Sequence, residues 1–338
     1  MYREIYEALE KTGRVKTAVI LTGPYAGCKC MAEEGSCTWR KPGTDLSGPA
    51  ALPDLKQLET AILETEETTM LKVDGTEIFV ELYLANPHLI ILGGGHVSQP
   101  TAHLGKLLGF HVTVMDDRED FVSKERFPDA DERITGSFEE LDRFLPLYEN
   151  AYYVILTRGH LGDAACVRQI LRRPYVYLGM IGSKTKVRLT REKLLKEGFL
   201  ERQLDTIHAP IGLPLGGQLP EEIAVSIMAE IIQVKNRHYT AYCDEKIQEA
   251  VLAGQRGVMM TIVEKSGSSP RGVGSKMLAV PSGKSVGSIG GGSAEFAAMN
   301  HCHEVRQTEV REYVLTADGR DSLGMICGGR VSVLFEIV

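Results

Sequence analysis

The residues best able to do chemistry in this chain cluster around glycines. Gly93, Gly94 and Gly95 follow the apolar run Leu89–Leu92 and lead into His96, Val97 and Ser98. A strand that turns through glycines into a helix leaves backbone N–H groups open to a phosphate, and the helix dipole favours the negative charge. Gly93 permits the tight turn, Gly95 lets a ligand approach the backbone, and Ser98 fills the small position where helix and strand pack closely. Asp116 lies 23 residues after Gly93, at the end of the run Phe110–Met115. A nucleotide-binding fold places there the carboxylate that accepts hydrogen bonds from a ribose. The same turn joining a strand to a helix in a protein that binds nothing is the alternative.

Further groups have both a chemical and a structural reading. Ser268, Ser269 and Arg271 lie between Gly267 and Gly272 and combine hydroxyls, a guanidinium and freely turning backbone; they make an anion cradle or a plain strand-end turn. Gly290, Gly291 and Gly292, followed by Glu295, form a second loop that permits close approach. Cys327 sits between Ile326 and Gly328; cysteines are more often buried and inert, and its flanking glycines favour an accessible thiol. His160 and Asp163 follow the apolar run Ala151–Thr157, at the carboxyl edge where open α/β sheets bind ligands, although Asp163 serves equally well as a helix cap. Gly182, Ser183 and Lys184 repeat the design of small residues entering a helix, with Lys184 either meeting an anion or joining a solvated basic face. Cys28, Cys30 and Cys37 lack both the paired spacing of a zinc site and a nearby histidine, so no metal site is expected.

The elements that must position these groups fall into three stretches. Residues 1–85 read as helix, strand, Gly- and Cys-rich segment, helix and two strands joined through Asp74-Gly75, a hairpin signal. Residues 86–240 alternate strands and helices, which predicts a parallel, doubly wound, Rossmann-like sheet. In its first helix Val97, Leu104, Leu107 and Leu108 should form the buried face, Asp163 can cap the helix running to about Arg172, and Ile207 should lie in a short last strand. Residues 241–338 repeat the order of the first stretch, so two α+β lobes related by a degenerate duplication flank the central domain.

The chain has 338 residues, 43% hydrophobic and 25% charged, which suits two or three globular domains. A net charge of −7 argues against a nucleic-acid partner. No run approaches the roughly 18 apolar residues of a membrane span. Seven scattered cysteines fit a reducing compartment rather than a disulfide framework, and a cytoplasmic location is expected.

Seven motifs together resemble one family. Gly93-Gly-Gly-His-Val-Ser98, Phe127-Pro-Asp-Ala-Asp131, Tyr177-Leu-Gly-Met-Ile-Gly-Ser183, Ala209-Pro-Ile-Gly-Leu213, Pro220-Glu-Glu-Ile-Ala-Val-Ser-Ile-Met-Ala-Glu230, Gly267-Ser-Ser-Pro-Arg-Gly272 and Cys327-Gly-Gly329 are similar to those of the XdhC/CoxI family of xanthine dehydrogenase accessory proteins. The resemblance implies a Rossmann domain with a smaller XdhC/CoxI domain. It also implies an accessory protein, not a hydroxylase, that binds molybdenum cofactor, as molybdopterin or its dinucleotide form, and delivers it sulfurated. The implied recipient is a xanthine dehydrogenase-type molybdenum hydroxylase, with a cysteine desulfurase as a further partner and a homodimer as the assembly. Cys327 would then touch the molybdenum or its sulfur. The alternatives are an NAD(P)-dependent oxidoreductase of purine metabolism, with His96 or His160 as proton donor, and a non-catalytic assembly scaffold. Two features depart from the family pattern. The lobe bearing Ser-Ser-Pro-Arg and Cys-Gly-Gly stands last instead of first, and Arg158-Gly159-His160 replaces the usual histidine-aspartate-histidine.

Overall fold

The computed structural model describes residues 1–33, 35–41, 55–158, 160–236, 244–267, 271–281, 283–314 and 329–338, with His160 and Leu161 described only as part of a helix. Ser268, Ser269 and Cys327 therefore lie outside the described residues, as does the side chain of His160. The chain divides into two compact units, one of Asn86–Arg237 and one of Met1–Ala85 with His238–Val338.

The N-terminal lobe opens with helix α1 (Tyr2–Thr12), which turns Tyr2, Ile5, Tyr6 and Leu9 inward at helical spacing and stops at Gly13 in the left-handed region. Strands β1 (Arg14–Ile20), β2 (Lys29–Glu33) and β3 (Ser36–Arg40) follow, then helix α2 (Lys56–Glu64) and strands β4 (Thr69–Val73) and β5 (Thr76–Leu84). Their antiparallel sheet has the order β3-β2-β1-β5-β4. Asp74 and Gly75 join β4 to β5 with φ of 47° and 82°, the mirror-image turn whose twist matches a hairpin.

The second unit runs through β6 (His88–Leu92), α3 (Ser98–Leu107), β7 (His111–Asp116), β8 (Glu132–Thr135), α4 (Leu141–Phe144), β9 (Ala151–Ile155), α5 (His160–Ile170), β10 (Tyr177–Met180), α6 (Lys184–Lys196), α7 (Glu201–Leu204) and α8 (Pro220–Lys235). All its strands are parallel, in the order β10-β9-β6-β7-β8, with apolar cores on both faces. The order reverses between β6 and β9, so the crevice beyond their carboxyl ends is the topological switch point.

Three local expectations are corrected here. The buried face of α3 is Ser98, Thr101, Ala102 and Gly105, whereas Leu107 and Leu108 are exposed. Small residues are required because a Cβ on Gly105 would come within 2.4 Å of the Leu89 side chain. Asp163 lies inside α5, buried, and does not cap it. Around Ile207 a single bridge between Gly179 and His208 replaces a strand.

The C-terminal lobe repeats the first: α9 (Glu245–Leu252), β11 (Val258–Ser266), β12 (Lys276–Ala279), β13 (Ser285–Gly287), α10 (Gly292–His301), β14 (Glu309–Val314) and β15 (Arg330–Ile337), in the order β13-β12-β11-β15-β14. The register repeats as well. Val19 pairs with Lys29 and Phe79, and Thr261 pairs with Lys276 and Leu334. The two lobes share cores, one of them built from Val19, Phe79, Val263 and Leu334. They also exchange buried ion pairs: Lys29 reaches Glu336 at 3.1 Å, and the equivalent Lys276 reaches Glu81. Burial pulls the Lys276 ammonium below its ordinary range, against the attraction of Glu81.

Candidate functional site

Each glycine of the turn after β6 has a different reason to be there. At Gly93, with φ of 110°, a Cβ would meet the Leu156 carbonyl oxygen at 2.5 Å, and at Gly94 it would meet the Phe121 carbonyl oxygen at 2.0 Å. At Gly95 it would meet nothing within 4 Å. The first two glycines are therefore required by packing, and the third faces open space. Ser98 is buried and donates to the Gly93 carbonyl at 2.5 Å, which fixes the entry into α3; His96 is exposed and Val97 half-buried.

Asp116 holds the turn from the end of β7. It is 1% exposed and accepts from the Gly94 N–H at 2.7 Å, from the Arg118 N–H at 3.0 Å, and from Arg118 Nε and Nη2 at 2.8 and 3.0 Å. Burial works against its charge, and these hydrogen bonds more than offset it, leaving the carboxyl below its usual range. Both oxygens are thus engaged by the protein itself. The group presented beside the turn is the Arg118 guanidinium, 3.4 Å above the Phe121 ring. Arg126 flanks the same ring and donates to the Gly94 carbonyl at 3.0 Å. Two guanidiniums therefore stand next to the one open glycine.

On the other side of the switch point, Thr157 follows β9 and donates to Asp163 at 2.5 Å, and Lys186 makes an ion pair with the same carboxylate. Gly182 leaves room for the Lys186 stem, which a Cβ would meet at 3.0 Å. Ser183 caps α6 by accepting from the Lys186 N–H at 3.2 Å. Lys184 is exposed, so Lys186 is the lysine turned toward the sheet edge.

A third polar cluster joins two of the sequence motifs. Glu230 of α8 accepts from Tyr177 at 2.6 Å and from the Gly212 N–H at 2.9 Å, and lies 3.1 Å from His208. The loop after His208, with its cis Ala209–Pro210 bond, is thereby clamped to the helix.

In the other unit, the glycine loop before α10 turns on its own glutamate. Glu295 accepts from Ser288 at 2.7 Å, from the Ile289 N–H at 3.0 Å and from the Gly291 N–H at 2.9 Å. Gly290, Gly291 and Gly292 have φ of 123°, 69° and 66°, a run that side chains would strain. Arg271 is exposed.

Sequence reasoning located the turn, Asp116 at the end of β7 and the edge beyond β9; it passed over Arg118, Phe121, Arg126 and Thr157, and it read Lys186 as solvated helix face where the structure pairs it with Asp163. Arg118 carried a signal in standing two residues after Asp116. Arg126 carried none, being 32 residues from Gly94. Among the described residues no group of three or more histidines, cysteines and carboxylates is placed to hold a metal ion, and no helix is long and apolar enough to cross a membrane.

The parallel sheet with a glycine turn at its switch point, together with a twice-built antiparallel lobe in the other unit, defines a Rossmann-fold protein with an α+β companion unit. Residues 89–231 match the XdhC Rossmann domain and residues 250–317 match the XdhC and CoxI family. These matches span more than half of the chain, which belongs to the XdhC and CoxI family. It is 31% identical over 160 residues to the uncharacterized protein YqeB of Escherichia coli (strain K12), covering 47% of this chain and 29% of that protein. It is 32% identical over 162 residues to a probable xanthine dehydrogenase subunit from Bacillus subtilis (strain 168), covering 48% of this chain and 47% of that protein. The matched regions thus span less than half of either relative. The fold is similar to that of a xanthine dehydrogenase crystal structure from Bacillus halodurans, with a TM-score of 0.52 and 24% identity over 72% of this chain and 66% of that one.

Proposed function

We propose that this chain is an accessory protein for a xanthine dehydrogenase-type molybdenum hydroxylase, and that it carries the molybdenum cofactor, as molybdopterin or its dinucleotide form, as cargo. The observation that carries this reading is the turn at the switch point, where Gly95 leaves space open and Arg118 and Arg126 stand ready for phosphate oxygens. The phosphate-bearing end of the cargo rests there. The family resemblance implies that Cys327 meets the metal or its sulfur, a role that suits a soft thiolate. Sulfur reaches the cargo from a cysteine desulfurase, and the protein works as a homodimer.

The test is an equilibrium titration of the full chain with isolated molybdopterin, its dinucleotide form, CTP and NADPH. The pterin forms should bind, and Arg126→Ala should weaken them about tenfold or more, the scale of a lost charge-assisted contact. Cys327→Ser should weaken the pterin forms and leave CTP unaffected. One observation favours a second reading. Arg118 at the end of β7 stands where a dinucleotide fold reads a 2′-phosphate. NADPH binding without pterin affinity would make the chain an NADP-dependent oxidoreductase instead.

A further inference from the structure

A groove in the C-terminal lobe belongs to none of the groups above. It lies between α10 and the strand ends at Val258 of β11 and Ala279 of β12, wholly within one unit, and has a volume of about 590 Å³, in the range of small-molecule pockets. Val258 and Val280 line its sheet side, and Phe296, Met299, Asn300 and His303 follow one another at helical spacing along the other. The Phe296 ring is 69% exposed beside this apolar lining, an arrangement that water disfavours.

The other lobe shows what closes such a groove. Lys16 stands at the position equivalent to Val258: Lys16 pairs with Ala32 and Leu82, and Val258 pairs with Ala279 and Ile337. From there Lys16 crosses to the end of α2, donating to the Leu63 carbonyl at 2.7 Å and lying 3.6 Å from Glu66, which Arg14 also contacts. Valine is too short to make that crossing, so the C-terminal lobe stays open where its twin is bolted shut.

The rim decides what fits. Arg256 and Lys284 adjoin the lining residues Gly257 and Gly283, are exposed, and make no ion pair among the described residues. His303 adds a third basic group. Of the nearby carboxylates, Glu295 is taken by Ser288 and two backbone amides, and Glu304 pairs with His301 at 3.1 Å. We propose that this groove binds a small amphipathic anion, an apolar ring system that lies against Phe296 and Met299 and turns one acidic group toward the basic rim.

The full chain should be titrated by fluorescence with 1-anilinonaphthalene-8-sulfonate and with its neutral counterpart, N-phenyl-1-naphthylamine. The sulfonate should bind at one saturable site at least about tenfold more tightly than the neutral probe, the scale of one charge-assisted contact. Val258→Phe, which fills the groove without adding charge, should weaken the sulfonate about tenfold or more, and Phe296→Ala should weaken it about tenfold through lost ring contact. Should Val258→Phe not fold, Phe296→Ala carries the test, because that ring is exposed. Unchanged affinity in the variants, or displacement of the probe by NADPH, would overturn the site; equal binding of the two probes would overturn the acidic group.

Discussion

The two lobes share one strand order and one register and differ in what occupies equivalent positions. The N-terminal copy puts Lys16 where the C-terminal copy has Val258, and Trp39 where it has Gly287. Trp39 is buried and donates to Glu59 at 2.9 Å, tying β3 to α2. Gly287 has a φ of 80°, and a Cβ there would meet the Ile247 side chain at 2.5 Å. The first copy therefore fills and bolts its scaffold, while the second keeps it open and gives it glycine loops. A duplicated fold lets one copy supply stability and the other supply surface, with the exchanged pairs Lys29–Glu336 and Lys276–Glu81 holding the copies to each other.

The largest effect should come from those pairs. Glu81→Gln strands the buried Lys276 and should lower stability to urea by about 3–5 kcal/mol, and Glu336→Gln should cost less because Lys29 keeps Glu81 at 3.8 Å. A loss confined to one of the two would break the equivalence of the lobes. The double variant should cost less than the sum, because all four groups share one network.

Acid should reach the other unit first. His88, at the start of β6, is the buried histidine among the described residues; burial, and then the neighbouring His111, push its pKa down to about 4. Its folded value lies below the unfolded value of about 6.5, so its contribution is whole above pH 6.5 and is lost as the pH falls toward 4, by up to about 3 kcal/mol. His88→Gln should flatten the urea midpoint over that window. An unchanged slope would place the acid-sensitive group elsewhere.

Lys16→Val should have a smaller cost, about 1–2 kcal/mol for a lost hydrogen bond to the Leu63 carbonyl, and should open a second dye site in the N-terminal lobe. An unchanged dye stoichiometry would mean that more than this side chain separates the copies. The smallest effect concerns reactivity alone. A hydrogen bond from Cys30 lowers the Cys37 thiol below its usual range, while Cys30 is raised by the same bond. Peptide mapping after brief iodoacetamide treatment should find Cys37 modified before Cys30. The reverse order would contradict the pairing.

What could be read from the chain followed the range of the contacts involved. The turn, its helix and Asp116 are tied by spacings of a few residues to a few tens, and local spacing is what a sequence displays. Leucine periodicity misplaced the inner face of α3, since Ser98, Thr101 and Gly105 are buried there because the sheet comes so close. The hairpins β2–β3 and β12–β13 were hidden in stretches whose Gly, Pro and Cys content reads as irregular. Lys29 and Glu336 lie 307 residues apart, and nothing in either neighbourhood announces the other. Asp116 stands at the end of β7 as its spacing predicts, and its carboxylate closes on Gly94 and Arg118.

The proposed seat for an anion beside Gly95 is tested most directly by calorimetric titration of the molybdopterin dinucleotide form into the wild-type chain and into Arg118→Ala/Arg126→Ala. Saturable binding to the wild type, weakened about a hundredfold in the double variant while the melting temperature holds, is the predicted result. Equal affinity in both proteins would contradict it.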